Sequence, residues 1–294
     1  MEDLVTHADS LIGDSAFPDG FDRRNFLKVS IGTGFAAAVM PVAAQSMIRT
    51  DTDGLTAGTI NITVNGKEVP VYRAQPAGKS KLPVVLVISE IFGVHEHIAD
   101  VACRFAKLGY LALAPDLFVR QGDAKSYTSI PDLIKEVVSK VPDQQVITDL
   151  DAVVAYAKAN GGDTDRMGIT GFCWGGRITW LYSAHNPKIK AGVAWYGQLV
   201  GTADALHPKS AADLAPDLKV PVLGLYGAKD TGITLAHIDT MKAALANGNS
   251  GSEFVVFPDS GHAFHADYRQ SYVEADAKEG WQKCLAWFKA HGVV

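Results

Sequence analysis

The sequence predicts an α/β protein whose mostly parallel sheet is covered by helices on both faces. Three observations predict it. Short apolar runs recur along the chain, helical patterns lie between them, and residues suited to chemistry follow directly after several runs. A strand buried on both faces needs an unbroken apolar run, and strands alternating with helices imply right-handed crossovers between parallel neighbours. In open sheets of this kind ligands gather outside the carboxyl ends of the strands.

The elements follow in order. Ile60-Asn61-Ile62-Thr63-Val64 and Val69-Pro70-Val71-Tyr72 alternate with period two around Asn65-Gly66, so an antiparallel hairpin opens the domain. Apolar runs at 82–89, 111–114, 167–170, 191–195, 220–226 and 254–257 are expected as strands. Helical patterns at 97–108, 144–160, 174–185, 235–246 and 275–291 supply the crossovers. No repeat, low-complexity tract or internal linker interrupts the series, so 59–294 is expected to form one domain.

Ahead of it, Arg23-Arg24-Asn25-Phe26-Leu27-Lys28 leads into a weakly apolar run over 29–44 that contains Gly32 and Gly34. Twin arginines before such a run resemble a twin-arginine export signal. The run falls short of the roughly 20 strongly apolar residues a membrane span needs. A cleaved signal over 1–44, a linker over 45–58, a periplasmic or secreted location and a transient encounter with the twin-arginine translocase are therefore expected.

The 294 residues are 47% hydrophobic and 20% charged, with formal net charge −5, which excludes a disordered chain and offers no basic surface for nucleic acid. There are three cysteines and no Cys-x-x-Cys, so a thiol redox role has little support.

One cysteine lies in a suggestive place. Met167-Gly168-Ile169-Thr170 runs into Gly171-Phe172-Cys173-Trp174-Gly175-Gly176 and then a helix. Small residues two before and two after a central nucleophile permit the sharp strand-to-helix turn that exposes it. The helix N-terminus favours the thiolate, and the N–H of Trp174 would point into an oxyanion site. Two further strand ends carry an acid and a base: Gly227-Ala228-Lys229-Asp230 and Pro258-Asp259-Ser260-Gly261-His262. Nucleophile, acid and histidine occur in the chain order of α/β-hydrolase triads.

From about Thr59 onward the chain resembles the dienelactone hydrolase, or carboxymethylenebutenolidase, family. The likeness rests on Glu90-Ile91-Phe92-Gly93, Ala114-Pro115-Asp116-Leu117-Phe118, the Cys173 turn, Gly227-Ala228-Lys229-Asp230 and Gly261-His262-Ala263-Phe264. It implies an α/β-hydrolase fold, a Cys173-His262-Asp230 triad, Glu90 as a carboxylate that helps activate the thiol when substrate binds, and Ile91 as second oxyanion donor. It also implies Arg120 as a partner for a substrate carboxylate. A second family arginine falls at Ala266, and Arg269 or His265 is left to take its role. His95 and His97 lie near Glu90 without a metal-ligand spacing, so no metal is expected, and nothing implies a cofactor.

The expected function is hydrolysis of a small-molecule lactone or ester through a thioester, by a monomer. A general carboxylesterase of the same fold and a non-catalytic binding protein are the alternatives. Cys103 and Cys284 lie on apolar helix faces; two buried thiols are expected, with a disulfide open to them in an oxidising compartment.

Overall fold

The computed structural model describes residues 47–294. The chain builds an eight-stranded sheet from β1 (Leu55–Val64), β2 (Lys67–Pro76), β3 (Leu82–Ile88), β4 (Leu111–Pro115), β5 (Gly162–Phe172), β6 (Ala191–Trp195), β7 (Val222–Gly227) and β8 (Glu253–Phe257). Spatial order is β1-β2-β4-β3-β5-β6-β7-β8. β2 runs antiparallel to both β1 and β4, and the pairings from β4 through β3 to β8 are parallel. The hairpin closes at Val64 and Lys67 with Asn65 at φ 51° and Gly66 at φ 75°, the left-handed pair a two-residue type I′ turn requires.

Every residue of β3, β4, β6 and β7 is buried, which is why these strands read as unbroken apolar runs. The covering helices are α1 (Glu96–Lys107), α2 (Ile130–Glu136), α3 (Asp143–Ala159), α4 (Trp174–His185), α5 (Ala211–Leu214), α6 (Leu235–Leu245) and α7 (Glu274–Ala290). Among the described residues no helix is long and apolar enough to cross a membrane. The signal expected over 1–44 lies outside the described residues.

Three features depart from the sequence reading. β1 begins at Leu55, inside the stretch read as a linker, and the residues before it are tied down: Ile48 N–H donates to Asp267 Oδ2 (3.0 Å) and Thr50 N–H to Asp100 Oδ1 (2.5 Å). Backbone donors leave no mark on side-chain periodicity. β5 starts at Gly162, well before its apolar run. Its polar beginning pairs with Leu82 and Pro83 before the register shifts between Pro83 and Val84. α2 went unread because its seven residues are too few for a helical period, although Ser129 caps it and Pro131 occupies its first turn.

Cys103 and Cys284 are buried and unbridged. Cys103 Sγ lies 3.5 Å from the Tyr72 hydroxyl under β2. Cys284 packs beside Thr170 on β5, where burial pushes its thiol pKa up.

α7 presses on the sheet through Gly280. A Cβ there would lie 2.5 Å from Cζ3 of Trp195, whose own Nε1 donates to Thr170 Oγ1 (3.1 Å). Alanine would gain about 1 kcal/mol in helix propensity, but overpacking a rigid buried indole costs about 1–3 kcal/mol. Gly280→Ala is therefore expected to lower the thermal midpoint, and an unchanged or raised midpoint would show that α7 can shift outward freely.

Candidate active site

The ends of β3, β5, β6, β7 and β8 deliver the functional groups, in keeping with the strand-end rule. Cys173 sits between β5 and α4 with φ 54° and ψ −115°, a conformation a β-carbon normally avoids. The turn is held by close backbone contacts. A Cβ at Gly175 would meet Ile88 O at 2.4 Å, and one at Gly176 would meet Trp195 O at 2.6 Å. The end of β3 therefore lies against the first turn of α4 on one side and the end of β6 on the other. Cys173 N–H donates to Trp195 O (3.0 Å), fixing the turn to β6.

The structure brings Asp230, His262 and Cys173 close to one another. His262 Nδ1 lies 2.7 Å from Asp230 Oδ2, and Asp230 Oδ1 accepts the N–H groups of Gly232 and Ile233, each at 2.9 Å. The histidine loop is clamped to the aspartate loop by Lys229 N–H donating to Ser260 O (2.9 Å). His262 lies close enough to Cys173 for the thiol to act on its charge. Burial opposes the imidazolium, but the charges of Asp230 and Cys173, with the hydrogen bond to Asp230, raise its pKa from 6.5 to about 10. By linkage, the stability this charge contributes is whole below about pH 6.5 and is lost as pH rises through about 10.

Glu90 follows β3 and is buried at 1% exposure, with Oε2 3.2 Å from His95 Nε2. Ile91 comes next in the chain. Trp174 opens α4, where its N–H has no carbonyl a turn earlier to bond. Its indole rests on Phe118, ring centroids 4.7 Å apart, beside a cleft lined in part by Val138, Gln198, Val200 and Thr202.

Two tyrosines complete the site. Tyr196 directly follows β6 with φ 38°, and its ring lies edge-on to His262 at 5.1 Å. Tyr268 lies edge-on to His95 at 4.9 Å. Burial first, and then the Glu90 and Cys173 charges among others, push both phenols well above their ordinary pKa, so each remains a hydroxyl donor. Sequence reasoning missed both. The strand-end rule points to Tyr196, which is the first residue after an apolar run; Tyr268 carries no comparable signal.

The arginines divide. The Arg269 guanidinium stands 5.8 Å over the Phe92 ring, and its charge pulls down on the pKa of both tyrosines, which places it at the site. Arg120, expected to hold a substrate carboxylate, instead grips Asp149 on α3 with two hydrogen bonds of 2.5 and 2.8 Å and reaches Val64 O at the end of β1. Both edges of its fork serve the fold. His265 is also displaced from the substrate role left open to it. Its ring is buried against Phe172 (5.0 Å) and Trp195 (4.5 Å), and burial with the charges of His97 and Arg104 holds it neutral.

Among the described residues no group of three or more His, Cys, Asp or Glu is arranged to hold a metal ion. His95 turns to Glu90, and His97 Nδ1 turns to Asp267 Oδ1 at 2.9 Å.

Removing Arg120 would strand the fully buried Asp149 carboxylate, a loss of about 3–5 kcal/mol for a broken buried pair. Arg120→Met is therefore expected to cut stability in urea unfolding by about 3 kcal/mol while the folded fraction keeps its KM for a carboxylated lactone. A raised KM with unchanged stability would restore Arg120 to the substrate.

The sequence pattern of the Dienelactone hydrolase family matches residues 69–292. A Methylorubrum extorquens protein named "Putative carboxymethylenebutenolidase" is 56% identical over 291 residues, covering 99% of this chain and all of that protein. A Salmonella typhimurium protein of the same name is 53% identical over 261 residues, 88% of this chain and 96% of that one. The crystal structure titled "Putative Dienelactone Hydrolase" from Klebsiella pneumoniae superposes with a TM-score of 0.79 at 56% identity, covering 80% of this chain and 98% of that one. With its α/β sheet, its strand-end residues and this likeness over nearly its whole length, the chain belongs to the dienelactone hydrolase family and is a hydrolase.

Proposed function

We propose that the enzyme hydrolyses a lactone or small activated ester by two-step acyl transfer through Cys173. The carrying observation is the thiol on its strained turn, close enough to act on the charge of a histidine that lies 2.7 Å from a buried aspartate. The thiolate attacks the carbonyl carbon, forming a carbon–sulfur bond, and the N–H groups of Ile91 and Trp174 receive the oxyanion. As the ring oxygen leaves, the His262 imidazolium protonates it. Once sulfur is bound in the thioester, its charge no longer supports the imidazolium, and His262 becomes able to take a proton from water. Water adds, the carbon–sulfur bond breaks, and the acid departs with the thiolate restored.

Glu90 is assigned the proton acceptance that arms the thiol. Its charge and that of Cys173 act on the same two tyrosines, so the groups share one enclosure. A permanent second anion beside the thiolate disfavours it, so Glu90 serves best by taking up a proton as substrate binds. Arg269 is assigned the substrate carboxylate; the arriving negative charge raises the proton affinity of Glu90 at that moment.

A second reading, a carboxylesterase acting on neutral esters, is favoured by Ala266 and by the engagement of Arg120 with Asp149. A panel of neutral and carboxylated enol lactones separates the two. Cys173→Ala is expected to lose about three orders of magnitude or more in kcat on all of them. Arg269→Met is expected to raise KM about tenfold or more for the carboxylated members alone, the worth of a charged hydrogen bond. Equal effects on both sets would favour the neutral-ester reading, and full turnover by Cys173→Ala would end the thioester mechanism.

We also propose export of the folded enzyme by the twin-arginine route, on the strength of Arg23-Arg24-Asn25-Phe26-Leu27-Lys28 and the weak apolar run behind it. Replacing both arginines, Arg23→Lys with Arg24→Lys, is expected to leave the full-length chain in the cytoplasm by fractionation and intact mass. Export of the doubly substituted chain would contradict this.

A further inference from the structure

Among the described residues Glu90 has an imidazole, not a lysine or arginine, as its side-chain hydrogen-bonding neighbour, and its Oε1 makes no hydrogen bond. That imidazole is itself constrained. His95 is the N-cap of α1, and its Nδ1 accepts the backbone N–H of His97 at 3.4 Å. A ring nitrogen accepting this bond carries no proton, so the hydrogen of the neutral ring is on Nε2, facing Glu90 Oε2. Protonating Nδ1 would set N–H against N–H at a helix N-terminus, where the macrodipole already repels a cation. Burial likewise pushes the His95 pKa down.

We propose that His95 is the positioning residue for Glu90: α1 fixes the Nε2–H tautomer, and that N–H holds the buried carboxylate ionised and ready to accept the thiol proton. This deepens the acyl-transfer reading and rests on the part assigned there to Glu90. The ring is braced against rotation. His97 stacks on it at 6.0 Å and 18°, Tyr268 meets it edge-on, and His97 is anchored to Asp267, which Arg104 holds at 3.1 Å.

The groups facing Glu90 come from several elements: His95 and His97 at the start of α1, Tyr196 after β6, and Tyr268 after β8. Burial raises the Glu90 pKa, but the His95 hydrogen bond and the neighbouring imidazoles outweigh it, and the net direction is down. A neutral donor suits a carboxylate that must change state during turnover, because taking up a proton then separates no ion pair.

Two substitutions divide the duties of the ring. His95→Asn places an oxygen where Nδ1 stood, a good N-cap, but is too short to reach Glu90. His95→Gln places an amide N–H where Nε2 stood. The pH dependence of kcat/KM for a chromogenic enol ester is measured on the full chain with both variants and with Glu90→Gln, alongside thermal midpoints. Glu90→Gln is expected to abolish the acid limb. His95→Asn is expected to keep the midpoint but move the acid limb up by about one pH unit, because the carboxylate loses its donor; that is about a tenfold loss of kcat/KM below the limb. His95→Gln is expected to keep the limb near its wild-type position.

An unmoved limb in His95→Asn, with the limb abolished in Glu90→Gln, would reduce His95 to a helix cap and overturn the proposal alone. A wild-type profile in Glu90→Gln would instead remove the role of Glu90, and this inference with it. Should His95→Asn fail to fold, His95→Ser, which also caps the helix without reaching Glu90, takes its place: an unmoved limb overturns the proposal, and a raised one supports it.

Discussion

The site depends on one steric constraint, the contact of the nucleophile turn with the strands on either side. Gly175 brings the backbone of α4 against Ile88 and Ser89, and Gly176 brings it against Trp195 and Gly197, at distances no β-carbon permits. Those two contacts set the end of β3, with Glu90 and Ile91, beside Cys173, and set Tyr196 on its other flank. The positive φ of Cys173 is unfavourable in isolation, and the surrounding packing over-determines it. A turn held this tightly gains little from adjusting to substrate, so the proposed oxyanion donors, Ile91 and Trp174, would be in place before chemistry begins.

The same packing makes the electrostatics consequential. Asp230, His262, Glu90 and His95 are all at or below 6% exposure, so their charges are weakly screened and each needs a partner. The two carboxylates are served differently. Asp230 has two backbone N–H donors and a histidine whose pKa is raised; Glu90 has an imidazole whose pKa is lowered. One carboxylate–histidine pair is ionic and the other holds a neutral ring, and they lie around one thiol. A group meant to stabilise a neighbouring cation should keep its charge, while a group meant to accept a proton should give its charge up. The partners match those two duties.

Much of this was legible in the sequence. β3, β4, β6 and β7 are buried on both faces, so their apolar runs stand out, and Cys173, Asp230 and His262 are visible because they follow the apolar runs of β5, β7 and β8. The hairpin was readable from Asn65-Gly66 because few other pairs accept two left-handed residues. Less legible were features made by backbone donors or by partners far apart in the chain. The 47–54 strap is held by amides of Ile48 and Thr50, and the polar start of β5 is a strand only because Leu82 and Pro83 lie beside it. The Asp149 contact of Arg120 was illegible for the same reason. Its partner Asp149 lies on another element, and nothing local distinguishes an arginine that grips a helix from one that waits for a ligand.

The displacement of the arginine bears on the choice of nucleophile. With Arg120 committed to Asp149 and Ala266 in place of a cation, Arg269 is the cation that lowers the pKa of both site tyrosines, opposing Glu90 and Cys173. On the proposed mechanism the enclosure then relies on the His262 imidazolium to protonate the departing group. It works best when the departing oxygen is already a good leaving group, as an enolate is. Thiolate imposes the same condition independently, because it leaves a tetrahedral adduct more readily than an alkoxide or amide does. On the proposed mechanism, charge balance and nucleophile would therefore favour the same substrates, activated esters whose carbon–oxygen bond breaks faster than the new carbon–sulfur bond, and both would disfavour peptides.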